Sequence, residues 1–145
     1  MKLEKTGWWL KVACGTGLIV NLCVRYVIAP ETPLFPPLPG QLLAISGGLC
    51  SLYHGYILRR AIGDRKEPAR LVTRGGLFPY IRHPMYAGDA LLYLGLALLA
   101  PGLASLLMLL LGWLGLYRQA RAEDRYLAQR FQGGFEAWRR DSWLL

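Results

Sequence analysis

Residues 76–88 read Gly-Leu-Phe-Pro-Tyr-Ile-Arg-His-Pro-Met-Tyr-Ala-Gly, and they hold the most chemically suggestive spacing in the chain. Pro84 has no backbone N–H to donate and is best tolerated in the first helical turn, so a helix is predicted to begin at about His83 to Met85. The unpaired N–H groups and positive dipole end of that helix, with Arg82 alongside, make a place that attracts a carboxylate or phosphate. Some forty residues later comes an acidic pair, Glu123-Asp124, followed by Leu127, Phe131, Phe135 and Trp138. Those four recur at helical spacing and share one face, which can rest on a membrane surface or against the basic loop. Adjacent acids point about 100° apart on a helix, so Glu123 and Asp124 cannot both face one atom. One can serve a ligand while the other pairs with Arg121 or Arg125. Gly133-Gly134 is expected to bend or interrupt the helix.

Apolar blocks must position these groups. The chain has 145 residues, 54% of them hydrophobic, which allows one domain spanning residues 1–145. Residues 7–29 are interrupted only by Lys11, Asn21 and Arg25, and residues 39–58 carry no charge. Each is long enough for the roughly 20 residues that a membrane helix needs. Two further apolar runs, residues 86–100 and 103–117, meet at Pro101-Gly102, a dipeptide that marks a turn. The predicted fold is therefore all-α: a polytopic membrane protein with about four transmembrane helices, the last two a helical hairpin, and a cytosolic C-terminal helix. Each hairpin arm is short, at about 22 Å of helical rise, and must recruit flanking residues or thin the bilayer.

Basic residues orient the spans. Lys and Arg number three in residues 1–11, none in 29–39, seven in 59–82 and six in 118–140. By the positive-inside rule both termini and the middle loop are cytoplasmic, so the motif at residues 76–88 and the acidic pair lie on the same side. The net charge of +8 then meets anionic membrane lipids, and nucleic acid is a poor explanation for it. Lys2 and Lys5 before an apolar stretch imitate a signal peptide, but the stretch reads as an uncleaved anchor. The proline-rich connection between spans one and two is expected to be short and stiff.

The remaining polar and small residues read more plainly. Cys14, Cys23 and Cys50 lack metal-ligand spacing and read as packing residues, and no metal site is expected. Lys11 and Arg25 sit near span ends, where their stems can snorkel. Gly47-Gly48 with Ser46 and Ser51 permits close helix approach. Asp89, one turn into a predicted membrane helix, is costly unless paired or near the water boundary, and it reads equally as an interfacial carboxylate paired to Arg82 or Arg118 and as a direct ligand contact.

Taken together, Gly76, Tyr80, Arg82-His83-Pro84-Met85-Tyr86-Ala87-Gly88, the hairpin, and then Glu123-Asp124 with spaced leucine and aromatic positions resemble the membrane methyltransferases of the isoprenylcysteine carboxyl methyltransferase and phospholipid methyltransferase families. The second acid departs conservatively from the Glu-Glu of those families. The likeness covers residues 71–140. It implies S-adenosylmethionine as cofactor, with Tyr80, Arg82, His83, Pro84, Tyr86, Gly88, Glu123 and Asp124 as the cofactor-binding set. It also implies a lipophilic small-molecule or lipid-linked substrate. The sequence identifies no catalytic base, and Arg118 and Arg125 are candidates to hold an anionic acceptor. A second copy of the chain could complete the pocket. Two other readings stay open at this point: an NADPH-dependent membrane reductase of the sterol-reductase type, and a non-enzymatic lipid-binding membrane protein.

Overall fold

Among the described residues, four α-helices form where the sequence is apolar and helix-permissive. The computed structural model describes residues 5–28, 36–63 and 75–143. Helix α1, Lys5–Cys23, continues into a π-helical turn, Val24–Ile28. It is followed by α2, Leu38–Gly63; α3, Pro84–Leu99; and α4, Leu103–Asp141. Among the described residues there is no strand, only an isolated parallel bridge between Ile81 and Trp143. Most of the proline-rich connection and residues 64–74 of the basic middle loop lie outside the described residues.

Helix α3 begins at Pro84, with His83 as its N-cap, and the chain turns at Pro101-Gly102 before α4. The expected separate C-terminal helix needs correction. Helix α4 runs unbroken for 39 residues through Gly133-Gly134, so one element carries both the last apolar run and the acidic pair. Two mid-helix glycines cost about 1 kcal/mol each; packing of Phe135 and Trp138 beyond them offsets that loss. The continuous helix also removes the problem of a short fourth arm, since its apolar candidate span, Leu103–Phe131, is 29 residues long. Among the described residues it is, with Thr6–Ile28, one of two helices long and apolar enough to cross a membrane, and Pro84–Leu99 is a shorter apolar helix.

The helices pair chiefly as α2 with α3 and α1 with α4. Both pairings are antiparallel, because Gly7 faces Gly115 while Gly17 faces Met108, and Gly40 faces Gly95 while Gly47 faces Gly88. The α2–α3 seam is a backbone-to-backbone contact made by glycines seven residues apart on each helix. A Cβ on Gly47 would stand 2.5 Å from the Leu92 nitrogen, and one on Gly95 would stand 2.4 Å from the Ala44 nitrogen. Neither neighbour can yield, since both belong to helical backbone. Gly48 and Ser46 lie off this seam, and nothing stands within 4 Å of a Cβ on Gly48. Gly95→Ala is therefore expected to destabilise the protein by about 1–3 kcal/mol through overpacking. Gly48→Ala should be neutral or stabilising by up to about 1 kcal/mol. Unfolding in mixed micelles, followed by helical circular dichroism, checks the pair.

Leu18, Tyr86, Tyr93, Leu96, Leu109 and Leu116 make the core between α1, α3 and α4. The outer faces are apolar as well: Leu42, Ile45, Leu49 and Leu52 on α2 and Leu106 and Leu110 on α4 are exposed. An apolar exterior of that extent suits a lipid solvent. At the end of the bundle away from the motif, α1 closes on the α3–α4 turn. Asn21 donates to Ser105 Oγ at 2.8 Å, Tyr26 donates to the Leu99 carbonyl at 3.0 Å, and Arg25 donates to the Pro101 carbonyl. Arg25 thus caps a turn as well as ending a span.

Candidate functional site

The segment before α3 is fixed from two sides. Gly76 adopts φ +55°, a left-handed conformation that glycine takes without strain. The next amide, Leu77 N–H, donates to His54 Nε2 at 3.0 Å. Since that nitrogen accepts, Nδ1 of His54 carries the proton and donates to the Cys50 carbonyl at 2.8 Å, so α2 holds the turn with a neutral imidazole. From the other side comes the end of α4. Trp138 Nε1 donates to the Phe78 carbonyl at 3.1 Å, and Trp143 N–H donates to the Tyr80 carbonyl at 2.8 Å. Arg82 N–H donates to the Trp143 carbonyl at 2.8 Å. Phe135 is buried beneath this clasp and meets Trp138 edge to face. Of the two fates open to the aromatic face of α4, packing on the loop is the one realised by Trp138, against which Phe135 packs.

The clasp brings the two distant motifs into contact. His83 Nε2 stands 2.9 Å from Asp124 Oδ1, and Nδ1 stands 3.5 Å from Glu123 Oε2. One imidazole thereby meets both acids, each on its own ring nitrogen, even though adjacent helical residues cannot face a single atom. Asp124 pairs with Arg82 and His83 and not with Arg121 or Arg125 as expected. Its Oδ2 lies 3.5 Å from Arg82 Nε, and both side chains are 8% exposed. Arg82 also donates from Nη1 to the Arg139 carbonyl at 3.0 Å. Asp89, assigned from sequence to Arg82 or Arg118, instead pairs with Lys11 at 3.2 Å and accepts from Ser51 Oγ at 2.6 Å.

Glu123 is the accessible member of the cluster, with its side chain 33% exposed. Tyr86 donates its hydroxyl to Glu123 Oε1 at 2.5 Å, and Gln119 Nε2 donates to the same oxygen at 3.2 Å. The Tyr86 and His83 rings stack with centroids 5.6 Å apart. Gln119, four residues before Glu123 and on the same helix face, was missed in the sequence reading; helical spacing could have found it. Lys11 was also missed, although a cation and an acid placed in two apolar runs invite each other as partners.

The other expected site residues are placed differently. Pro84 is the first residue of α3, and its carbonyl faces the Cys50 thiol. Gly88 is buried in the α2–α3 seam, where a Cβ would meet the Ser51 nitrogen at 2.6 Å. Tyr80 stands outside the cluster, 68% exposed. Arg118 and Arg125 are exposed on α4. At about 100° per residue neither shares the face that carries Glu123.

The cluster as a whole is electrically balanced when His83 is protonated, with two cations against two carboxylates. Burial works against the charged imidazole. Hydrogen bonds and charge from Asp124 and Glu123 outweigh it, and the His83 pKa is raised above its ordinary value. With the folded pKa above the unfolded value of about 6.5, the stabilisation is complete below that pH and is lost as pH rises through the folded value. Thermal unfolding measured across a pH series should show stability falling on the alkaline side, and His83→Gln should remove that part of the fall.

The residues present suit a cationic, hydroxyl-bearing ligand. Glu123 offers an accessible carboxylate, and beside it Gln119 Oε1 is a buried acceptor with no hydrogen-bond partner among the described residues. An ammonium or a pair of ribose hydroxyls would satisfy such acceptors. Comparison with known proteins adds one finding. A family model described as phospholipid methyltransferase matches residues 40–133, which takes in α2, α3 and most of α4. No curated protein and no solved structure matches the chain.

Proposed function

The chain belongs to the phospholipid methyltransferase family, and we propose on that premise that it is an S-adenosylmethionine-dependent methyltransferase acting on a lipophilic acceptor in the membrane. The observation that carries the reading is the meeting of His83 and Tyr86 with Glu123, which joins the motif before α3 to the acid on α4 in one place. Glu123 and Gln119 would hold the ammonium or ribose of the cofactor, and the stacked Tyr86 and His83 rings would flank it. Arg82 and Asp124 form the frame beneath. When bound, the cofactor supplies an electrophilic methyl carbon on a sulfonium.

An acceptor amine, thiol, carboxylate or lipid headgroup needs little acid or base assistance toward such a methyl. The protein's work is alignment and the exclusion of water. The family description favours a lipid headgroup among these acceptors. A four-span arrangement with the site on the cytoplasmic face is supported by the antiparallel pairing. That pairing gathers the start of α1, the end of α2, the start of α3 and the second half of α4 at one end, the segments that carry most of the basic residues. Cofactor would then enter from water and the acceptor sideways from lipid. The reductase reading loses ground because the accessible group is an acid, which repels a 2′-phosphate, while Arg82 is already engaged by Asp124 and Arg139.

Incubating the purified protein with methyl-labelled S-adenosylmethionine and a membrane lipid extract should place label in the lipid fraction. A folded protein that leaves every lipid unlabelled would overturn the proposal.

A further inference from the structure

Helix α1 lies outside the residues that the family model matches, yet it sends a cation to the edge of the site. Lys11 Nζ pairs with Asp89 Oδ2 at 3.2 Å and stands over the Tyr86 ring, 4.6 Å from its centroid. The place where this side chain leaves α1 is fixed as well, because Tyr93, two turns along α3 from Tyr86, donates its hydroxyl to the Lys11 carbonyl at 2.8 Å. Asp89 is held in turn by Ser51 of α2. Tyr86 is thus gripped at its ring by an ammonium and an imidazole and at its hydroxyl by Glu123. A lysine among apolar residues is costly, and a simple ion pair would not need its ammonium over an aromatic face.

We propose that Lys11 is a positioning residue of the site, whose Asp89-held ammonium fixes the Tyr86 ring and so aims the hydroxyl that orients the Glu123 carboxylate. The consequence for cofactor binding rests on the function proposed above; the coupling of Lys11 to Tyr86 and His83 does not.

The test uses Lys11→Met, Lys11→Arg and, to leave no lone carboxylate that could impair folding, Lys11→Met combined with Asp89→Asn. The chain has only two histidines, so the imidazole resonances of the ligand-free protein are readily assigned. Neutralising Lys11, alone or with Asp89, should shift the His83 resonances, which report the stacked Tyr86 ring, and leave those of His54 in place; Lys11→Arg should restore them. S-adenosylmethionine affinity should fall roughly 3- to 30-fold, the range of one cation–π contact, with the KM for the lipid acceptor unchanged. In a Tyr86→Phe background, which lacks the hydroxyl, the same change should cost no further affinity. Unmoved His83 resonances, or an equal loss of affinity in the Tyr86→Phe background, would overturn the inference. A wild-type protein without affinity for S-adenosylmethionine, in which the His83 resonances still respond to Lys11, would uphold the coupling and sink the functional proposal instead.

Discussion

Glu123→Gln is expected to lower S-adenosylmethionine affinity and kcat/KM by roughly 10- to 150-fold while leaving the fold intact. The size follows from the loss of a hydrogen bond to a charged group, about 1.5–3 kcal/mol. Glutamine matches the shape of the side chain and keeps an oxygen for the Tyr86 hydroxyl, so the 2.5 Å contact has a successor. What disappears is the negative charge that a ligand ammonium would meet. Asp124 still pairs with the buried Arg82 and His83 in this variant, so neutralising Glu123 leaves neither cation without a carboxylate. Equilibrium dialysis with labelled cofactor and initial rates of lipid methylation check the two numbers. An unchanged affinity would favour the non-enzymatic, lipid-binding alternative, which gives this acid no role.

Asp124→Ala has the opposite signature, a loss of stability of about 3–5 kcal/mol. Asp124 is buried and faces two cations, His83 at 2.9 Å and Arg82 at 3.5 Å. Removing it leaves the Arg82 guanidinium in the interior with, among the described residues, only the Arg139 carbonyl as partner. An uncompensated buried charge costs far more than the pair contributes, and the clasp between residues 78–82 and the end of α4 is built around that charge. Asp124→Asn should lose less, since its amide oxygen can still accept from His83. Unfolding free energies in mixed micelles decide the matter, and values within about 0.5 kcal/mol of wild type would show that the pair is not part of the frame. In the proposed function, neighbours in sequence divide the labour: Glu123 would face the ligand while Asp124 holds the loop.

Much of this arrangement was legible in the sequence because it rests on local chemistry. Pro84 announces the start of α3, Pro101-Gly102 announces the turn, and the Arg-His-Pro and acidic motifs announce that they belong together. What the sequence hid is long-range. The Lys11–Asp89 pair joins residues 78 positions apart, and Asp89 had nearer cations to suggest. The 100° between Glu123 and Asp124 argued for separate partners, but an imidazole offers a nitrogen on each edge and can reach both. Gly133-Gly134 looked like a break because local propensity speaks before packing does, and the contact of Trp138 with the loop before α3, together with the burial of Phe135, overrides it. Gly88 was read as part of the site from its motif, whereas its position on α3 turns it toward the backbone of α2.

The most direct test of the whole account is isothermal titration of the folded wild-type protein, in detergent, with S-adenosylmethionine. A pocket shared by His83, Tyr86 and Glu123 predicts saturable heat at about one cofactor per chain, abolished by competing S-adenosylhomocysteine. A protein verified as folded that gives no heat and no thermal shift at any cofactor concentration would contradict it.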